Sequence, residues 1–239
     1  MMVNLAVIPA RGGSKRLPRK NVMVLAGRPM LAYTIEAAIS SGLFDLVVVS
    51  TDDREIAEIA EMHGAAVPFL RTDALADDYT PVSEVTLDAL LRLEADGHSF
   101  DYVSQLMANC PLRNADDVVH SWEQFQPSGF ESQVSVTSYG WLNPWWALQR
   151  EETGAARPVF EEMLKQRSQD LPALYCPTGA VWWTSSDSLK RERTFHIAQR
   201  SLYELPWYRA IDIDDLADLQ LAEVLMESGG IKRRDREQR

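Results

Sequence analysis

Cysteine is scarce. Cys110 and Cys176 are the only two in 239 residues, too few and too far apart for a disulfide framework or a cysteine metal site. That scarcity suits a reducing, cytoplasmic compartment. No run approaches the roughly 20 apolar residues that span a bilayer. Met1-Met2-Val3-Asn4 opens the chain with neither a basic segment nor a long apolar one. Neither a membrane span nor a signal peptide is therefore expected. The four histidines, His63, His98, His120 and His196, have no ligand spacing and are expected at surfaces. Internal repeats and low-complexity segments are absent, as are a Gly-x-x-x-x-Gly-Lys-Ser/Thr loop and a Gly-x-Gly-x-x-Gly turn. Positive charge is short as well: 24 Lys and Arg face 35 Asp and Glu, a net of −11, which argues against a general nucleic-acid or membrane-surface binder. What is plentiful is apolar material. At 46% hydrophobic and 25% charged, the chain can bury a core of ordinary single-domain size.

The apolar residues are arranged in an alternating rhythm. Val3 to Ile8, Leu46 to Val49, Ala66 to Phe69, Tyr102 to Met107 and Gln133 to Thr137 read as short buried strands. Between them, helical spacing follows Pro29 (Leu31, Ile35, Ala38, Ile39, stopped by Gly42) and runs over 54–62, 82–93 and 116–125. The pattern predicts an α/β fold: a doubly wound, mainly parallel sheet flanked by helices. From Tyr139 to about Pro177 the rhythm breaks. This excursion carries Trp141, Pro144, Trp145, Trp146, Pro158 and Pro172, with at most a turn near 160–165, and so much Trp in irregular chain suggests a lid or an interface arm. Strands are expected again at 180–183 and 208–213, then a last helix over 216–226.

Ligands of such sheets bind beyond the carboxyl ends of the strands, which selects the loops 9–21, 50–53 and 107–114. The first stands out. Pro9-Ala10-Arg11-Gly12-Gly13-Ser14-Lys15-Arg16-Leu17-Pro18-Arg19-Lys20-Asn21 holds two glycines, a hydroxyl and five cations without an acid. Glycines let backbone N–H groups approach a phosphate, and Lys and Arg neutralise it. The bland alternative is a solvated basic turn. A second candidate is Asp212-Ile213-Asp214. On a strand, residues two apart share a face, and two carboxylates on one face suit Mg²⁺. Alternatively, Asp214 or Asp215 caps the helix starting near Leu216. For Asp52 and Asp53, capping of the helix at Arg54 weighs about evenly against a site role.

The basic loop resembles the N-terminal signature of the cytidylyltransferases that activate nine-carbon 3-deoxy sugar acids, the N-acylneuraminate (sialic), legionaminate and pseudaminate enzymes. The resemblance continues through Gly27-Arg28-Pro29-Met30-Leu31, Val49-Ser50-Thr51-Asp52-Asp53, Pro68-Phe69-Leu70-Arg71, Cys110-Pro111-Leu112-Arg113, Arg167-Ser168-Gln169-Asp170-Leu171-Pro172, Gly179-Ala180 and Asp212-Ile213-Asp214, nearly the whole chain in order. It implies a Rossmann-like nucleotidyltransferase domain over 1–138 and 173–231. It further implies an inserted segment at 139–172 that builds a homodimer. Lys232 to Arg239, basic and without an apolar residue, reads from its composition as a frayed tail. The resemblance also implies a reaction: the anomeric hydroxyl of a nonulosonic acid attacks the α-phosphorus of CTP, giving a CMP-sugar for surface glycans and releasing pyrophosphate.

Carried over residue by residue, the resemblance places Arg11, Gly12, Gly13, Ser14 and Lys15 at the triphosphate. Lys20 and Asn21 fall at the phosphates and ribose, Arg71 at the nucleoside, and Thr80 and Val82 in the cytosine pocket. Asp212 and Asp214 would hold Mg²⁺, with Arg11, Lys20 and Asp214 closest to the chemistry. Arg16 and Arg19 read better as surface residues. Met107, Asn109, Arg167, Gln169 and Thr178 are expected around the acceptor. That pocket departs from the sialic acid enzymes: Met107 stands for a glutamine, Cys176 for an arginine, and Trp145 and Trp146 where a lysine is expected. The departures point to an acceptor that differs from ordinary sialic acid or binds differently. Arg167 to Leu171 is closer to the pseudaminate branch, Thr178-Gly179-Ala180 to the sialate branch. Two other readings stay open: a nucleotidyltransferase for 3-deoxy-octulosonate or a sugar 1-phosphate, and an inactive nucleotide-binding module of the same fold. The charge distribution suits a nucleotide, because residues 11–20 concentrate five cations in an otherwise acidic body.

Overall fold

A computed structural model of the chain describes residues 2–72, 75 and 79–228. The expected tail at 232–239 lies outside them. The first strand, β1 (Asn4–Pro9), runs through the centre of the molecule. A small hairpin of β2 (Val24–Leu25) and β3 (Arg28–Pro29) leads into α1 (Met30–Ser40). Then come β4 (Leu46–Ser50), α2 (Arg54–Met62), α3 (Val82–Ala95), β5 (Tyr102–Gln105), α4 (Ala115–Phe125) and β6 (Ser132–Ser138). An arm carrying β7 (Leu148–Arg150) and β8 (Ala156–Pro158) precedes β9 (Tyr175–Ser185), α5 (Ser186–Glu192), β10 (Arg200–Glu204) and α6 (Leu216–Glu227).

The main sheet has the order β10-β6-β9-β5-β1-β4. Pairs β1–β4, β1–β5 and β6–β10 are parallel, while β9 is antiparallel to both β5 and β6. Five strands therefore point one way and β9 points back. Both faces are covered, as the uniformly apolar β1 and β4 require. Leu31, Ile35, Ile56, Val118 and Phe125 pack one face, and Leu87, Leu90, Leu93 and Leu189 the other. The first face buries Ala6, Ile8, Val47 and Val49 of β1 and β4, the second Leu5, Val7 and Val48, and removal of this apolar surface from water stabilises the fold.

Three expected strands change. The segment 66–69 forms only isolated bridges, Val48–Ala66 and Thr51–Leu70. Pro68 has no N–H to continue a ladder. The segment 208–213 is not a strand. Pro206 leads into a 3₁₀ turn over Trp207–Arg209, and the sheet edge is already taken by β10. Neither β10 nor α5 was foreseen. β10 is an edge strand whose Arg200, Leu202 and Glu204 are exposed, so it has no apolar run to announce it. β9 is longer than expected and reversed.

The excursion leaves the sheet after β6 and returns at β9. Between them lie the short β7–β8 hairpin and three 3₁₀ turns. Trp145 folds back, its indole N–H donating to the carbonyl of Pro172 (2.8 Å) and its ring meeting Phe160 edge-on. Trp141, Leu142, Leu148, Val159, Phe160 and Leu164 nonetheless remain exposed, Trp141 at 87%. No described helix is long and apolar enough to cross a membrane.

Candidate active site

At the carboxyl ends of β1 and β5 opens a cavity of about 510 Å³. Its wall brings together residues far apart in sequence: Arg11, Ser14, Lys15, Lys20 and Asn21 from the basic loop, Arg71, Thr80 and Val82 from the approach to α3, Met107 and Asn109 after β5, and Asp212 and Asp214 before α6. All twelve were selected from the sequence. Arg16, Leu17, Leu75 and Val85 complete much of the rest of the lining.

The loop owes its shape to a few anchors. Leu17, 4% exposed, packs with Leu25, Met30 and Ile213. This apolar contact fixes the cationic loop against the aspartate segment. Lys20 spans the same gap: its Nζ donates to the carbonyl of Ile213 (3.1 Å) and to Asp214 Oδ1 (2.8 Å). Asn21 Nδ2 holds the carbonyl of Arg11 (3.0 Å). Arg19 sits in the left-handed region at φ 59° and turns away from the cavity, pairing with Asp53 and Glu55. Asp53 also caps α2 through the Ile56 N–H, so its role is structural. Hydrogen bonding from Arg19 holds the Asp53 carboxyl below its usual range.

The two glycines of the loop lie beside the cavity rather than on its wall. The Gly12 N–H is bonded to Asp52 Oδ1 (3.1 Å), and a Cβ at Gly12 would lie 2.7 Å from Asp53 Oδ2. Gly12 is thus required for close approach to the β4–α2 turn. Asp52 also accepts from Arg71 Nη2 at 3.4 Å. One carboxylate beneath the site therefore ties the basic loop to a nearly buried arginine. The sequence weighs Asp52 evenly between helix capping and a site role; a second acid beside the cap at Asp53 is the signal for the latter.

The aspartate pair survives the loss of its strand. Ile213 is held like a strand residue, its N–H donating to the Asn109 carbonyl (2.9 Å) while Asn109 Nδ2 donates to the Ile213 carbonyl (3.2 Å). With Ile213 buried, Asp212 and Asp214 both reach the cavity. Helix α6 is capped instead by Asp215, in a reciprocal capping box with Asp218. Asp212 opens to the cavity but is closely packed by protein. That desolvation, with the charge of Asp214 second, pushes its carboxyl up to about 6. Asp214 is also desolvated, but Lys20 and Arg16 outweigh this and hold its carboxyl below the usual range. Arg16, expected at the surface, is exposed yet pairs with Asp214 and lines the cavity. Behind Asp212 lies the buried thiol of Cys110, 3.8 Å away and raised in pKa chiefly by burial. No third His, Cys, Asp or Glu joins a metal-type cluster among the described residues. Two carboxylates on one cavity wall suit Mg²⁺, which takes one or two of them and completes its shell with phosphate oxygens and water; both Asp214 oxygens are paired here, with Lys20 and Arg16, so an ion there would displace a cation.

The expected acceptor residues separate. Met107 and Asn109 line the cavity, Asn109 with its amide already committed to Ile213. Thr178 is buried inside the sheet, its hydroxyl 2.8 Å from that of Ser135. Arg167 and Gln169 sit on the exposed arm, where Arg167 pairs with Asp170 (2.7 Å). The structure does not bring these three to the cavity of their own chain. Trp146 is likewise on the arm, and Cys176 is half-buried at the start of β9.

Fold and cavity together define a class: a doubly wound α/β protein with a cation-lined cavity at its strand ends, chemically suited to a polyanion. Comparison with known proteins gives the family. A family model described as cytidylyltransferase matches residues 5–129. The chain is 36% identical to the pseudaminic acid cytidylyltransferase of Campylobacter jejuni over 228 residues, 94% of this chain and 96% of that one. It is 35% identical to the CMP-N,N'-diacetyllegionaminic acid synthase of Legionella pneumophila over 225 residues, 93% and 96% of the two. The solved structure of a CMP:2-keto-3-deoxy-manno-octonic acid synthetase complexed with CTP shares the fold, with a TM-score of 0.69 at 17% identity, covering 95% of this chain and 99% of that one. The chain belongs to the cytidylyltransferase family and is a nucleotidyltransferase.

Proposed function

We propose that this enzyme transfers CMP from CTP to the anomeric hydroxyl of a nonulosonic acid. The observation that carries the reading is the gathering of Arg11, Lys15, Arg16 and Lys20 with Asp212 and Asp214 on the wall of one cavity, Arg16 and Lys20 paired to Asp214. Relatives named for pseudaminic and legionaminic acid support the choice of acceptor. The hydroxyl oxygen bonds to the α-phosphorus, the bond to the bridging oxygen breaks, pyrophosphate leaves and the hydroxyl proton is released. Arg11 and Lys15 neutralise the leaving pyrophosphate, and Lys20 holds the loop and Asp214 in register. Ser14 and Asn21 line the phosphate and ribose end, with Arg71, Thr80 and Val82 around the nucleoside. The work is positioning and charge stabilisation. Asp212 and Asp214 would hold Mg²⁺, which supplies charge neutralisation at the phosphates and polarisation of the reacting phosphoryl group.

Incubation with CTP and a panel of pseudaminic, legionaminic, sialic and octulosonic acids tests this reading. A CMP-sugar mass with one or more nine-carbon acids is the expected product. Exclusive use of the eight-carbon acid, or no product with any, contradicts it. Lys20→Ala is expected to raise the CTP KM about ten-fold, in line with the ~1.5–3 kcal/mol of a hydrogen bond to a charged group. Unchanged CTP saturation would count against the loop assignment.

A homodimer through 139–172 belongs to the same reading. The exposed Trp141, Leu142, Leu148, Val159, Phe160 and Leu164 support it, since apolar surface on that scale marks an interface. Arg167 and Gln169 would then serve a partner's cavity. Light scattering at micromolar concentration is expected to give twice the 27.0 kDa chain mass; a monomer refutes the arm's role. A cytoplasmic location fits the two free cysteines.

A further inference from the structure

Gln105, the last residue of β5, is 1% exposed. Its Oε1 is 2.7 Å from the hydroxyl of Thr86 on α3, which also has the Val82 carbonyl at 3.3 Å. The shorter contact turns the amide so that Nε2 faces the other way. There, among the described residues, it meets only the thioether of Met107, at 4.0 Å. Sulfur is a weak acceptor, so a buried two-proton donor is left nearly unsatisfied. An apolar side chain would suit such a position better.

Met107 is the cover. It lines the cavity, so the Gln105 amide lies one side chain behind the wall. On its other side Met107 rests on Gly179, where a Cβ would fall 2.5 Å from its Cγ. Gly179 therefore leaves Met107 the room it occupies. An unbranched thioether with three rotatable bonds can swing aside at small expense.

We propose that Gln105 is a specificity-determining residue for the sugar acid: as the acceptor enters, Met107 moves off and Gln105 Nε2 donates to an N-acyl carbonyl oxygen of the acid. Thr86 is the positioning residue that presents the amide's donor end. The inference rests on the acceptor being an N-acylated sugar acid. A site built around a buried donor rejects an acceptor without the matching oxygen, because the donor is then left unpaired.

The experiment is steady-state kinetics of Gln105→Leu and Met107→Ala with CTP, with each acid that the unaltered enzyme uses, and with its de-N-acylated form. Gln105→Leu is expected to raise the acceptor KM at least ten-fold and leave the CTP KM within two-fold. That penalty disappears with the de-N-acylated acid. The melting temperature stays level or rises, because a half-paired buried amide has been removed. Met107→Ala takes away the cover and is expected to lower the acceptor KM for the N-acylated acid; a raised KM there overturns the covering role. An unchanged acceptor KM in Gln105→Leu overturns the proposal. So does an equal rise in both KM values with a lowered melting temperature, the pattern of a merely structural residue, or a penalty that persists without the acyl group. If the unaltered enzyme uses no nonulosonic acid, the functional reading fails and this inference with it. If it turns over such acids while Gln105→Leu is normal, only this inference fails.

Discussion

Asp214→Asn is expected to lower cytidylyl transfer by about 10²- to 10³-fold, the range seen when one charge-stabilising group is removed from a preorganised site. The substitution keeps shape and removes charge. Lys20 retains the Ile213 carbonyl, and Arg16 is largely exposed, so neither cation is stranded in a dry interior. The partly exposed pairs Lys20–Asp214 and Arg16–Asp214 contribute on the order of 1 kcal/mol or less to stability. Helix α6 keeps its cap because Asp215 makes it. The variant should therefore melt within a few degrees of the parent while losing turnover. Pyrophosphate release at a near-normal rate would remove Asp214 from the chemistry.

The second large effect concerns stability. Arg113 is 2% exposed and its guanidinium serves several groups: Thr34 Oγ1 at 2.6 Å, and the carbonyls of Met107 and Ala180 at 3.1 Å. Burial lowers its pKa to about 10, so it stays charged at neutral pH. Through these bonds it fixes the 107–113 loop to α1 and β9, and with it Met107, Asn109 and Cys110 on the cavity side. Arg113→Ala leaves buried carbonyls without donors, at about 1–3 kcal/mol each, and opens a cavity. Relief of a desolvated cation offsets part of this. The expected net loss is about 3–5 kcal/mol, or roughly 6–20 °C in melting temperature for a chain of this size. Arg113→Lys should recover only part, because a compact ammonium, though it has three N–H donors, cannot span acceptors spread over both ends of a planar guanidinium. A loss below about 1 kcal/mol in Arg113→Ala would mean that the loop is held by other contacts.

Much of this site could be read from the sequence because its residues carry chemistry in their type and position. Five cations without an acid after the first strand, and an Asp-x-Asp before the last helix, point to the two walls of one cavity. The sheet was legible where strands are buried on both faces, as in β1 and β4. It was not legible where an edge strand is polar on its outer side, as in β10, or where proline interrupts a ladder, as at Pro68. Alternation predicted that Asp212 and Asp214 share a face; the same outcome is reached by a different route, through the clamp of Asn109 on Ile213. Gly12 has a further structural reason that local sequence does not show: its small size admits Asp53, and its N–H is bonded to Asp52. Arg16 was indistinguishable from Arg19 in sequence, since both are loop arginines. Only the fold turns one toward Asp214 and the other toward Asp53. Residues on the arm could not be assigned to a cavity by local sequence at all.

Pyrophosphate release measured with CTP, Mg²⁺ and a nine-carbon sugar acid, and with each omitted in turn, tests the central claim most directly. One pyrophosphate per CMP-sugar, with no release when the acid is left out, is the predicted result. CTP consumed without the acid, orthophosphate in place of pyrophosphate, or no release with any such acid would contradict it.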